Sequence, residues 1–226
     1  MSRGLGDVYK RQTFNISFKG AHLADIEKVI DCLEQHHVRA EFIIFDVDFA
    51  NFRNPDDADS GESDVLPSTR LPSELAIAAA TFPSVRSVYD FSRRPPDMAS
   101  EQFNYLPLPK DVLPRDPSPA YDAAFRRVLT RMKGMSKNVI AYVPPFAVEA
   151  FGHYGFDVPA FRYLAAYYVA VCHELGVDCL DLSGALPLSD FVDIIHLNQR
   201  GHAYLARRLE REIGRQRGAK MLTFVS

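Results

Sequence analysis

Residues 139–146 read Val139-Ile140-Ala141-Tyr142-Val143-Pro144-Pro145-Phe146. β-Branched and aromatic side chains suit a pleated, buried surface, so 139–143 is predicted as a strand. Proline has no N–H to give to a ladder, so Pro144-Pro145 ends it. On its N-terminal side, 118–133 reads as a helix, with Ser118 as N-cap and Pro119 in the first turn. On its C-terminal side, Phe161, Leu164, Ala165, Tyr168, Val169 and Cys172 share one helical face. Cys179-Leu180-Asp181-Leu182 is a short strand, and Ala203, Leu205, Ala206, Leu209 and Ile213 mark a last helix.

The same alternation runs toward the N-terminus. Phe42-Ile43-Ile44-Phe45 is a continuous apolar run, as expected of a strand buried on both faces. Before it, Leu23, Ile26, Val29, Ile30 and Leu33 form an amphipathic stripe. Phe14–Phe18 reads as a further strand, ending at Gly20. Strands alternating with helices of this length imply βαβ units. The predicted fold class is therefore α/β, a three-layer α/β/α sandwich with a parallel sheet between helical layers.

The chain of 226 residues is 47 % hydrophobic and 24 % charged, which supports a packed core and excludes wholesale disorder. A net charge of −3 offers no electrostatic footprint for nucleic acid, so no nucleic-acid partner is expected. No apolar run approaches the roughly 20 residues that cross a bilayer. The three cysteines, Cys32, Cys172 and Cys179, are too scattered for a disulfide framework or a CxxC zinc site. Residues 50–70 and 92–117 read as long loops, with a helix predicted over 72–81.

Residues 2–12, SRGLGDVYKRQ, match the translation of a sequencing-library adapter without mismatch. The expectation is that 1–12 is an artefact. Residues 13–226 then form one α/β domain, incomplete at its N-terminus. A native leader, membrane anchor or catalytic block upstream of Thr13 would have been lost.

In an open parallel sheet, ligands sit beyond the carboxyl ends of the strands. The segments to watch are Lys19-Gly20, Asp46-Val47-Asp48, Pro144-Pro145-Phe146 and the loop from Ser183 to His196. The last leads into Asp193-Ile194-Ile195-His196-Leu197-Asn198-Gln199-Arg200-Gly201-His202. An Asp three residues before a His can accept from one imidazole nitrogen and leave the other to act as a base toward a hydroxyl. Asn198 is placed to cap the following helix.

This DxxH-L-N-x-x-G block, followed by an amphipathic helix, resembles the last block of the SGNH/GDSL hydrolase superfamily. Asp193 and His196 match residue by residue. Phe14–Gly20 resembles the superfamily's second block, in which a glycine amide helps bind the oxyanion. Gly20 is that candidate, or a plain turn glycine. The segments FIIFDVDFANF (42–52) and VIAYVPPF (139–146) resemble a bacterial subgroup, often membrane-anchored, related to polysaccharide O-acetyltransferases.

The resemblance implies a flavodoxin-like fold whose first strand is missing here. It also implies a Ser-His-Asp acyl-transfer site on a small-molecule or carbohydrate ester, with neither metal nor cofactor. Location in the periplasm or at a membrane is implied by the subgroup alone.

Two features depart from the pattern. The nucleophilic serine belongs to a first block, upstream of Gly20, that the chain does not contain; Ser17 lies inside a strand and reads as structural. The third block usually carries an Asn where this chain has Asp46-Val47-Asp48, with Asn51 and Asn54 off register. Asp48 is the candidate oxyanion or substrate-binding residue, although an Asp donates only when protonated.

Two alternatives stand beside this reading. One is a catalytically inactive SGNH-like module that binds carbohydrate or protein. The other rests on FIIFDVDF, which resembles the first motif of haloacid-dehalogenase-like phosphatases. There Asp46 would be the nucleophile, Asp48 the acid/base, and both would hold Mg²⁺; the downstream motifs are not found. His153, in Phe151-Gly152-His153-Tyr154-Gly155-Phe156, is either a solvated loop histidine or part of a substrate groove. The tyrosines at 163–168 read as core, and Arg207–Arg217 as a salt-bridged helix face.

Overall fold

The computed structural model describes residues 23–47, 103–105 and 119–222. The expected strand at 14–18 with Gly20, the helix at 72–81, and Asp48 lie outside the described residues, as does most of the two predicted loops. The long helices are α1 (Leu23–Gln35), α2 (Pro119–Met135), α3 (Val158–Glu174) and α4 (Gln199–Leu222), and a single helical turn spans Phe151–Tyr154. The strands are β1 (Ile43–Asp46), β2 (Val139–Val143) and β3 (Asp178–Asp181). They form a parallel sheet in the order β1-β2-β3, with Ile43 opposite Val139 and Ala141 opposite Cys179. The fold is α/β, and every described strand runs the same way.

Strand periodicity assigns the faces. Phe45, Val47, Val139, Ala141 and Val143 pack with α1, α2 and α3 into the main core. From α2, Phe125, Val128 and Leu129 enter it at helical spacing, as do Leu164, Ala165 and Tyr168 from α3. Phe125 meets the Tyr168 ring edge-on, at 5.1 Å between centroids.

The outward arginines of α2 reach across to neighbouring helices. Arg127 pairs with Glu27, and Arg131 with Asp31 and Glu34, all on α1. Such exposed pairs contribute less than about 1 kcal/mol each, so they set register more than stability.

The opposite face carries Ile140 and its register partner Asp178. Gln216 and Arg215 of α4 both donate to Asp178 Oδ2, at 2.7 and 2.9 Å. Arg217 pairs with Glu41 and lies over the Phe42 ring. Thus α4 is tied to the face turned away from α1, α2 and α3. Its 24 residues would span a bilayer by length, at about 36 Å. Its arginines rule that out, and no described helix is long and apolar enough to cross a membrane.

The structure corrects two expectations. β1 is not buried on both faces: Phe45 is buried, whereas Ile44 is 43 % exposed. Only the face toward α1 and α2 is covered at that end of the described sheet. The tyrosines of α3 do not all enter the core. Tyr168 does, Tyr167 is half-buried with its hydroxyl on Asp122, and Tyr163 points outward. Five residues at about 100° each set 163 and 168 about 140° apart around the helix axis, so they do not share one face.

Two of the long helices end on left-handed residues, as does the short helix Phe151–Tyr154 on Gly155 (φ 69°). After α3, Gly176 (φ 65°) donates to the His173 carbonyl and Val177 to that of Cys172. After α1 the same closure uses His37 (φ 53°), with Val38 donating to Leu33.

Candidate active site

The carboxyl ends of β1, β2 and β3 lie at one edge of the sheet, and the DxxH loop is fastened over it. Leu182 N–H donates to the Val143 carbonyl, and Phe146 N–H to that of Ser183. Ala147 N–H donates to the Ile194 carbonyl at 3.0 Å, while the Ile194 side chain joins the main core. The loop is closed on itself by an antiparallel bridge, Phe191 to Leu197, and by Val192 N–H donating to the His196 carbonyl at 2.8 Å.

Within this closed loop, Asp193 Oδ2 lies 2.7 Å from His196 Nδ1. Asp193 Oδ1 accepts the N–H groups of Ile195 (3.0 Å) and His196 (2.8 Å). An ionised carboxylate only accepts, so Nδ1 carries the proton in this pair. Burial by itself would raise the Asp193 carboxyl. The bond to the His196 ring and the two amides outweigh that and hold it below the usual aspartate range. The Asp193 side chain is 13 % exposed and that of His196 59 %. The orienting group is thus inside and the imidazole faces outward. A rigid buried acceptor behind an accessible imidazole is what general-base chemistry needs.

The rest of the motif is structural. Asn198, buried, accepts from Arg200 N–H (3.0 Å) and Gly201 N–H (3.2 Å) and so caps α4. Its amide donates to the Ser189 carbonyl at 2.8 Å, tying the cap to the preceding turn. Gly201 has no room for a side chain. A Cβ there would sit 2.5 Å from the Asp190 carbonyl oxygen and 2.9 Å from Leu197 Cδ2. The spacing from His196 to Gly201 is therefore dictated by the approach of α4 to the loop.

Other candidates fall in place around this centre. Asp46 ends β1, and the surrounding protein bulk pushes its carboxyl above the ordinary range. Its side chain keeps solvent contact, which limits that shift. Asp181 is a capping carboxylate, accepting from Ser183 N–H and Oγ–H. The buried Ser136 hydroxyl donates to the carbonyls of Glu41 and Asn138, so neither buried serine presents its hydroxyl as a nucleophile. Gly20 and Asp48, the oxyanion candidates, lie outside the described residues. No group of His, Cys, Asp and Glu side chains that could hold a metal ion occurs among the described residues.

One part of the site was only half visible in the sequence. Asn104 N–H donates to the Val192 carbonyl at 2.7 Å, which lays residues 103–105 alongside the DxxH loop. The Tyr105 ring then packs on His153 (4.3 Å between centroids) and Phe103 (4.8 Å). Tyr154 lies behind, 5.1 Å from His153. The Tyr154 hydroxyl is buried without a hydrogen-bond partner among the described residues. Burial raises its pKa, and the Asp193 charge adds to the effect. His153 thus belongs to an aromatic wall beside the Asp–His pair. The Phe103–Tyr105 contribution carried no sequence signal, because it depends on a long-range backbone bond.

No family model, curated protein or solved structure matches the chain.

Proposed function

We propose that Asp193 and His196 are the acid–base half of a serine acyl-transfer site, acting on a small-molecule or carbohydrate ester. The observation that carries this reading is the buried carboxylate on His196 Nδ1, with its second oxygen held by two backbone amides. A structural Asp–His contact does not need the imidazole turned outward, and here it is.

In this reading a serine from the protein's native upstream sequence attacks the ester carbonyl. Its proton passes to His196 Nε2 as the Oγ–carbon bond forms. The imidazolium, stabilised by Asp193, returns the proton to the departing alkoxide as the ester bond breaks. Water or a sugar hydroxyl then takes the acyl group by the same route in reverse. The Gly20 amide and Asp48 are the candidates to meet the oxyanion. Water as acceptor makes an esterase, and a sugar hydroxyl makes an O-acetyltransferase.

The test is to extend the gene upstream of Thr13 from its source DNA and to treat the product with a fluorophosphonate and an aryl acetate. Labelling of an upstream serine, with hydrolysis reduced about 10³-fold or more by His196→Ala, is the expected result. A folded extended chain with neither labelling nor hydrolysis overturns it. An SGNH-like binding module then becomes the reading that remains.

A further inference from the structure

The aromatic wall beside the Asp–His pair combines three properties. Tyr105 keeps 51 % of its surface in solvent while its ring is held by Phe103 and His153. The Tyr154 hydroxyl behind these rings is desolvated and unpaired among the described residues, a state that native proteins seldom leave unexplained. The wall is also anchored to the catalytic loop. Val192 accepts from Asn104 through its carbonyl and donates to His196 through its amide. A displacement of Tyr105 is therefore transmitted to the residue next to Asp193.

The other exposed tyrosine, Tyr163, stands on the outer face of α3 with no such connection. An exposed aromatic ring fixed by neighbouring rings is already oriented to receive a contact.

We infer that Tyr105 and His153, backed by Tyr154, form a ring-stacking subsite that seats a flat apolar ring face of the substrate next to His196. This rests on the acyl-transfer reading for its role, but the binding itself does not. The ring face can come from a pyranoside or from an aryl ester, since both present C–H or π surface to an aromatic plane. An acyclic ester presents no rigid ring face.

The experiment uses the chain as it stands, labelled with ¹⁵N and ¹³C, and follows the Tyr105 and His153 ring signals by NMR. The probes are methyl 6-O-acetyl-glucopyranoside, phenyl acetate and, as the acyclic control, propyl acetate. Saturable shifts at both rings with at least one ring-bearing probe, and none with propyl acetate, are expected. The probe that binds identifies the source of the ring.

Tyr105→Ala should weaken that binding roughly three- to tenfold, and Tyr163→Ala should leave it unchanged. No saturable shift, equal shifts with propyl acetate, or equal losses in the two variants would overturn the subsite. Failure of the acyl-transfer reading looks different: ring binding persists, also in His196→Ala, while the extended chain labels no serine.

Discussion

The two walls of the candidate site are held in opposite ways. From Asp190 to Gly201 the chain is fixed by directional bonds. Asp193 satisfies two amides and a ring nitrogen, Asn198 satisfies two amides and a carbonyl, and Phe191 bridges Leu197. The adjoining wall of Tyr105, His153 and Tyr154 is held mainly by ring packing beside one backbone bond from Asn104, and it contains a hydroxyl unsatisfied among the described residues. Hydrogen-bonded loops fix a base to fractions of an ångström, which proton transfer requires. Ring packing is less directional and tolerates ligands of different shape. The contrast separates a part suited to chemistry from a part suited to recognition.

The largest expected effect tests the rigid wall. In Gly201→Ala the new methyl meets backbone at Asp190, which cannot swing aside as a side chain would. Stability should fall by about 2–3 kcal/mol in urea denaturation, and the His196 NMR signals should shift or broaden. A variant as stable as the parent would show that the loop is not tightly closed on α4.

Asn198→Ala follows, at about 1–2 kcal/mol, because the helix cap and the bond to Ser189 disappear together. A loss within experimental error would mean that water replaces the cap.

The adjoining wall predicts the opposite sign. Tyr154→Phe removes a buried hydroxyl that has no partner among the described residues, so it should stabilise the protein by about 1 kcal/mol. A clear destabilisation would reveal a bond to that hydroxyl and remove the contrast between the walls.

The smallest effect is a pH dependence. The Asp193 carboxyl is held below its unfolded value, so its contribution is complete above about pH 3.9. It is lost as pH falls through the lowered folded value. Asp193→Asn should therefore be less stable than the parent at neutral pH and converge on it in acid. A gap that stays constant would remove the carboxylate's charge from the account.

How much was legible beforehand depended on the range of the interaction. The spacing of Phe125, Leu129 and Met132, or of Leu164 and Tyr168, is local, and the helices they form are where periodicity placed them. The DxxH block was legible for the same reason, since all three bonds to Asp193 come from within three residues. The part of Gly201 was not, because it is set by Asp190 and Leu197 across a closed loop. Nor was the exposure of Ile44: an apolar run reports hydrophobicity, while burial depends on which helices cover each face of β1. Tyr105 reaches the site only through the bond from Asn104 to Val192, and no local pattern encodes that. His37, in a left-handed position that usually takes glycine, likewise gave no sign of its backbone.

The central claim is that Asp193 orients His196 with its proton on Nδ1. Long-range ¹H–¹⁵N NMR of the histidine rings at neutral pH reads this directly, with the exposed His173 of α3 as internal reference. The account predicts that His196 is the Nδ1–H tautomer and that Asp193→Asn abolishes this preference. A His196 ring protonated on Nε2, or one indistinguishable from His173 in both proteins, would contradict it.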